Sequence, residues 1–333
     1  MLLYVYDKDM TLLGVAEKIT SLIWTRRYWS NGEFKLLVPY TERHGQLFKK
    51  NHLIMKQGDA EAAEILYINI RKDKTGAEEI EVQGKFLSHW LGKRILLNQI
   101  ITTDNTPSIL RRIVTETITN PADPARKIPG VELGEDTGIE RGNIDYNSEP
   151  YINVLLAAET AAKASKLGFR VRTDVKAKKH RFEVYDGQDL TADQTENRPC
   201  IFSQEFDNVQ EQEYTNSVEN LKSTAYVGGE EKEGAARKVV EVGDAAEGLE
   251  RQEVFINATD ITQTYTDSDG SEQTMTDEQY IEMLKQRGTQ ELENYAETLN
   301  FSSTINTRGN LKYKEDYDLG DRVSIKTGKS KST

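Results

Sequence analysis

Ser21-Leu22-Ile23-Trp24-Thr25-Arg26-Arg27-Tyr28-Trp29, then Ser30-Asn31-Gly32-Glu33, then Phe34-Lys35-Leu36-Leu37-Val38-Pro39 is the stretch that decides the fold class. Two runs rich in β-branched and aromatic residues flank a short polar segment, which reads as a hairpin with a tight turn. On strict alternation Ile23, Thr25 and Arg27 share one face while Trp24, Arg26 and Tyr28 share the other, so both sides carry large groups unless a bulge intervenes. One face packs inside the protein. The other is open to a partner, and tryptophan, tyrosine and arginine are the residues that concentrate binding energy at interfaces. Trp24, Arg26, Arg27, Tyr28, Trp29 and Phe34 are therefore the candidate interface residues. The competing reading is internal packing throughout, with arginine stems lying across the rings.

Strand signals continue on both sides of this hairpin. Residues 2–6 and 12–15 flank the turn Asp7-Lys8-Asp9, and residues 64–70 and 79–84 flank a polar turn at 71–76. About six antiparallel strands near the start favour a small barrel or sandwich over an open parallel sheet. The middle differs. Ile109 and Ile113 recur at helical spacing behind Pro107, and residues 151–164 give a second helix that stops before Gly168. Residues 168–172 and 181–185 alternate as strands joined by a basic turn, so roughly 98–200 reads as an inserted α+β unit. Strand patterns return at 209–217, 224–227 and 237–242. Tyr280, Leu284, Leu292, Tyr295 and Leu299 then fall on helical spacings that Arg287-Gly288-Thr289 is expected to divide. Residues 301–306 and 322–325 are again strand-like.

Composition removes several function classes. The 333 residues carry 55 acidic and 43 basic side chains, a formal charge of -12, the wrong sign for wrapping nucleic acid through the general surface. A lone cysteine, Cys200, excludes an internal disulfide, and four scattered histidines, His44, His52, His89 and His180, lack zinc spacing. No apolar run is long enough for an export signal or a membrane span, so the chain is expected to stay soluble in the cytoplasm unless it leaves within a larger particle. Gly228-Gly229 lacks the lysine of a phosphate loop and is followed by two glutamates. Thr327-Gly328-Lys329-Ser330 carries Walker letters without the upstream glycines. Asp267, Asp269 and Gly270 imitate a calcium loop but place the glycine too early. No acid and base pair emerges from spacing, so no catalytic residue, cofactor or metal is assigned.

An ordered set of strings supports a more specific resemblance. Tyr4-Val5-Tyr6-Asp7, Gly32-Glu33-Phe34-Lys35-Leu36-Leu37-Val38-Pro39, Asn51-His52-Leu53-Ile54, Glu79-Ile80-Glu81-Val82-Gln83-Gly84 and Leu91-Gly92-Lys93-Arg94-Ile95 occur in the first hundred residues. Ala225-Tyr226-Val227-Gly228-Gly229-Glu230, the run from Gly248 to Ile256, and Tyr317-Asp318-Leu319-Gly320-Asp321 follow later. Together they resemble the Gp37-like proteins of siphoviruses and Gram-positive prophages, which belong with phage tail hub or baseplate hub proteins.

The resemblance implies a mainly β fold with α+β insertions: a tail-hub-like pair of small antiparallel β-barrels, an inserted α+β domain and a helical segment. The first barrel would occupy residues 1–95, the α+β domain 98–200, and the second barrel 205–333 with the helical insertion near 276–299, strands being exchangeable between barrels. It further implies a non-enzymatic homotrimer in the virion tail, assembled in the cytoplasm of the bacterial host. Its partners would be the distal tail or tail tube protein and a tip, fibre or lysin protein, with DNA passing through unbound and no membrane insertion. After Leu319-Gly320-Asp321 the family pattern is expected to run through further strands, so a shortened second barrel would expose an edge. Two alternatives remain: a carbohydrate-binding tail module using Trp29 or the charged loops, and a cell-wall hydrolase.

Overall fold

A computed structural model describes residues 1–72, 76–149, 151–231, 234, 236–266 and 272–326 of the chain. The turn at 73–75, the tip of the charged loop at 232–233, the calcium-like loop at 267–271 and the tail from 327 lie outside the described residues.

The front of the chain folds as expected into antiparallel strands: β1 (Leu3–Tyr6), β2 (Leu12–Ala16), β3 (Ser21–Thr25), β4 (Glu33–Pro39), β5 (Leu53–Lys56), β6 (Ala62–Lys72) and β7 (Glu78–Phe86). They form one seven-stranded sheet in the order β2-β1-β5-β6-β7-β4-β3. Its concave side holds Leu3, Val5, Ile54, Ile65, Phe34, Leu36, Val38, Val82 and Phe86 in a single cluster. Residues of β1 and β4 meet there although other strands separate them in the ladder, so the sheet is strongly curled. A short helix, α1 (Glu42–Leu47), closes one end of this cluster with Leu47 and the adjacent Phe48. The expected barrel does not close: among the described residues no ladder joins β2 to β3. Residues 17–20 turn locally instead, with Ile19 packed onto the core, and this keeps the two edge strands apart.

Strands β1, β5 and the start of β6 are buried on both faces, which is why they read as nearly continuous apolar runs. Leu3 and Val5 face the curled core; Tyr6, Leu53, Met55 and Ala62 face a second and larger cluster. That cluster is completed by Ile100 just before β8 (Ile101–Asn105), and by α2 (Thr106–Val114), β9 (Val131–Leu133), β10 (Asn143–Asn147), α3 (Val154–Ala164), β11 (Gly168–Asp174) and β12 (Lys179–Tyr185). Strands β10 and β8 pair antiparallel; β11, β12 and β9 form a three-stranded sheet. Helix α3 starts at Val154 because the Asn153 side chain accepts from the N–H groups of Leu155 and Leu156, capping it there.

The rest is built from small sheets, so the second barrel too is open among the described residues. Strands β13 (Asp189–Leu190) and β14 (Ile201–Ser203) are followed by β15 (Val209–Ser217). Next come β16 (Thr224–Gly228), β17 (Val239–Gly243), β18 (Glu253–Asn257), β19 (Thr264–Thr266), β20 (Glu272–Thr274) and α4 (Asp277–Leu292), then β21 (Thr298–Ile305) and β22 (Arg322–Lys326). Strand β22 pairs in parallel with β13 through Arg322–Val323 and, further along, with β14 through Ser324–Lys326. Strands β15 and β21 form a two-stranded antiparallel ribbon. Everything from 218 to 297 hangs between its strands, with its own core of Val227, Ala258, Ile261, Met275, Tyr280 and Leu284.

Helix α4 corrects two expectations. It is not divided at Gly288, which sits where the helix lies against the sheet: a Cβ there would stand 2.5 Å from methyls of Val227 and Val242. The glycine permits close approach and does not break the helix. Leu299, read as helical, is in β21, since the helix gives way after Leu292 to a 3-10 turn at Glu293–Tyr295.

Candidate functional site

The aromatic hairpin does not make the expected tight turn. Strand β3 stops at Thr25 and β4 starts at Glu33, so residues 26–32 leave the sheet as a longer loop. Arg26, Tyr28 and Ser30 find their partners elsewhere in the chain.

Within the strands, Trp24 lies opposite Phe34 and stands edge-on to Phe86 with ring centroids 4.8 Å apart. Its indole Nε1 donates to Asp59 Oδ2 at 3.0 Å. Phe34 is 2% exposed and offers a partner no surface. Arg26 enters the protein: its Nε donates to Glu61 Oε1 at 2.8 Å, and its Nη1 donates to Asp318 Oδ1 at 3.0 Å and to the Tyr313 hydroxyl. Arg27 stays outside, bonded to Glu33 Oε1 and the Asn31 carbonyl, each at 2.9 Å.

Tyr28 is the second tie. Its ring fits against Gly168 of β11 and Gly320 of the C-terminal segment, where an added Cβ would come within 2.4 and 2.3 Å of it. Its hydroxyl accepts from the Gly187 N–H at 3.0 Å, and its carbonyl accepts from the Phe169 N–H at 3.1 Å. Ser30 Oγ and the Asn31 N–H both donate to Glu159 Oε1 of α3, at 2.7 and 3.1 Å. Residues 26–32 thus join the curled sheet, the α+β layer and the C-terminal segment. Trp29, 41% exposed, keeps a free surface and lines a cleft between α3 and α4.

Charge inside this joint is balanced by geometry. Burial raises the Glu61 carboxyl above its ordinary range, against the opposing pull of Arg26. Burial also works against ionisation of Asp59, but Lys314, with Nζ 3.2 Å from Oδ1, and Arg26 outweigh it and hold that carboxyl below its ordinary range. On Arg26 burial opposes the charge, and Glu61, Tyr313 and Asp59 more than restore it. The arrangement is a buried electrostatic clamp with satisfied hydrogen bonds.

A similar clamp fixes the layer beneath. Glu64 receives His89 Nε2 and Trp90 Nε1 at 2.6 Å and Lys93 Nζ at 2.9 Å. Burial is overcome there by these bonds, and the carboxyl falls to about 2. His180 is buried between Thr173 and Trp90, and burial lowers it to about 4, so it is neutral near pH 7. Cys200 is buried with its thiol pushed up by burial and packs with Leu190, Phe202, Val209 and Leu311.

The glycine pair Gly228-Gly229 serves packing: a Cβ on Gly228 would meet the Arg237 guanidinium at 2.7 Å, and one on Gly229 the Tyr280 hydroxyl at 2.1 Å. Sequence reasoning missed Asp59, Glu61, Tyr313 and Lys314 as members of the joint. Tyr317-Asp318-Leu319-Gly320-Asp321 was noted only as a string, and pairing across so long a separation leaves no local spacing to read. No group of three or more His, Cys, Asp or Glu residues placed to hold a metal occurs among the described residues, and no helix there is long and apolar enough to cross a membrane.

Two solved structures are similar over nearly the whole chain. The tail protein from Neisseria meningitidis MC58 matches with a TM-score of 0.53 at 13% identity, covering 97% of this chain and 85% of that one. The 43 kDa tail protein of prophage MuSo2 from Shewanella oneidensis matches with a TM-score of 0.56 at 13% identity, covering 98% and 89% respectively. At that identity the likeness is one of fold. No curated protein matches the sequence. The sequence itself matches the family described as Siphovirus ReqiPepy6 Gp37-like protein over residues 2–333, nearly end to end, and the chain belongs to that phage tail protein family.

Proposed function

We propose that this tail protein is a non-enzymatic hub: a homotrimer on the tail axis that joins the tail tube or distal tail ring to the tail tip. The observation that carries the reading is the joint at residues 26–32, which ties β-rich parts from both ends of the chain into one body through Arg26 and Tyr28. A connector that transmits load between a tube and a tip needs such internal bracing, and family membership over residues 2–333 supplies the context. Residues 1–95 act as the first hub domain, 98–200 as the inserted α+β domain, and 205–333 as the second hub domain.

In this reading the distal tail or tube protein docks above and a tip, fibre or lysin protein below, with DNA passing along the axis. The net charge of -12 suits a channel that repels phosphates. The subunit is assembled in the host cytoplasm and ends in the virion tail. Among the hairpin residues, Arg27 and Trp29 keep surface for an intersubunit contact, while Trp24, Arg26, Tyr28 and Phe34 shape the loop that presents them.

Electron microscopy of assembled tails tests the reading. Threefold density for this chain on the axis, between tube and tip, is the expected result. An off-axis position, or a ring of another symmetry, overturns it.

A further inference from the structure

The net charge of the chain is confined to one lobe. Residues 218–297, which hang between β15 and β21, carry 19 acidic and 7 basic side chains, a net of -12, while the rest of the chain carries 36 of each sign. The frame is neutral and the lobe holds the whole excess. A surface of one sign steers and selects a partner of the other.

The lobe also leaves a sheet face open. Strand β16 lies between β17 and β18, and its Val227 packs with Val240, Val242 and Ile256 against Tyr280 and Leu284 of α4. Alternation sends the intervening residues to the other side, where Tyr226 is registered with Glu241 and Phe255, and Gly228 with Val239. Phe255, 55% exposed, and Val239, 50% exposed, face solvent there. At the Ser223 end of this sheet the chain crosses from β17 to β18, and Ser223 Oγ donates to the Glu250 carbonyl at 3.2 Å. Leu249 in that crossing is 100% exposed, on a 3-10 turn at Gly248–Glu250 that Gly248 opens with a φ of +60°. A wholly exposed aliphatic side chain held on a formed turn is a knob without its socket.

The charges around it are uneven. Arg251 is engaged by the Tyr226 hydroxyl and Glu241, each at 2.8 Å, and by Glu253 at 2.6 Å. Arg237 lies over the Phe255 ring at 5.2 Å and donates to the Gly228 and Gly229 carbonyls at 2.8 Å. Asp244, Glu247 and Glu250, exposed on the same crossing as Leu249, enter no ion pair among the described residues. Apolar surface beside a charged rim is the anatomy of a protein interface, and the sign of the rim fixes the sign of the partner.

We propose that the outer face of this lobe, with Leu249 as its knob, docks a different tail protein through a basic surface that holds an apolar socket. A second copy of this chain is the poorer occupant, because its own lobe repels this one and its frame carries no net charge to answer it. Nucleic acid is repelled outright. The inference rests on membership of a tail protein family and not on the hub reading, which is decided by axial position and not by what the lobe touches.

The test is photo-cross-linking in assembled tails, with a benzophenone side chain in place of Leu249 or of Val239, read by mass spectrometry of the joined peptides. Both positions should reach one and the same protein, a chain other than this one, in a segment where lysine and arginine outnumber aspartate and glutamate. Glu247→Lys combined with Glu250→Lys should lower the yield about tenfold, and Glu247→Gln with Glu250→Gln should lower it less. Circular dichroism of the purified chains checks that the variants keep the native fold. The proposal is overturned if no cross-link forms, if the cross-links join two copies of this chain or reach an acidic segment, if the two positions reach different proteins, or if charge reversal leaves the yield unchanged.

Discussion

Arg26 and Asp318 stand 292 positions apart in the sequence and 3.0 Å apart in the structure. The same guanidinium is bonded to Glu61 at 2.8 Å, so one side chain closes a triangle between the loop after β3, the start of β6 and the C-terminal segment. The Glu61 arm is the stronger one: both partners there are close to fully buried, whereas the Asp318 side chain is 43% exposed and contributes little through screening.

Removing one side of that buried pair should therefore be costly. Arg26→Ala leaves Glu61 uncompensated and is expected to destabilise the fold by about 3–5 kcal/mol in urea unfolding. Arg26→Met combined with Glu61→Leu should recover most of that loss, because the desolvation penalty disappears along with the attraction. A double variant as unstable as Arg26→Ala would contradict the clamp.

Acid should weaken the α+β layer in two windows. His180 falls from its ordinary 6.5 to about 4 on folding, so the unfolded chain binds the proton first, and stability is lost as pH drops from 6.5 towards 4. The loss amounts to about 3 kcal/mol at most. Glu64, held at about 2 against an ordinary 4.5, adds a further loss below pH 4.5 in the same direction. Glu61, raised by burial above 4.5, works the other way just above pH 4.5 and softens the His180 window. Melting temperature followed from pH 7 to 4 should fall in the parent and stay flatter in His180→Gln; parallel curves would remove His180 as the cause.

Gly288→Ala is an unusual helix substitution. In an exposed helix interior the change stabilises by about 1 kcal/mol. Here the new methyl meets β-branched Val227 and Val242 at 2.5 Å, neither of which has a flexible end to move aside. A net loss of about 1–3 kcal/mol is expected from overpacking. Adding Val242→Ala should relieve it, measured as the shift in unfolding midpoint of each variant.

Gly320 combines a φ of +103° with contact against the Tyr28 ring. Gly320→Ala should loosen the C-terminal segment from the hairpin, seen as faster hydrogen exchange in residues 310–326 with β4 to β7 unchanged. Exchange that rises equally throughout the sheet would mean that the joint is not locally separable.

The strands of the first sheet were legible because alternation and two-faced burial leave direct marks on sequence: Leu3 and Val5 go to one core, Leu53 and Met55 to another. Helices α2 and α3 were equally plain from Pro107 and the apolar period. The openness of the barrel was not, since it depends on where residues 17–20 send the chain and not on the strands themselves. Gly288 misled for a related reason: a glycine that allows close approach and one that ends a helix look alike until the neighbour is known. The six hairpin residues stand out in the sequence as a surplus of large groups needing partners, inside the chain or outside it. The sequence could not tell that Arg26 and Tyr28 find theirs within the same chain, because Glu61, Asp318 and Gly320 announce themselves only in three dimensions.

The ribbon of β15 and β21 begins and ends an excursion whose two ends are neighbours, with Ser217 paired to Thr298. Residues 218–297 are thus grafted as a cassette on adjoining stems. Exchange of that cassette for another of different surface, or its replacement by a bare reverse turn, leaves every other strand connection intact. A lineage can therefore vary what this part of the particle presents while inheriting the frame unchanged.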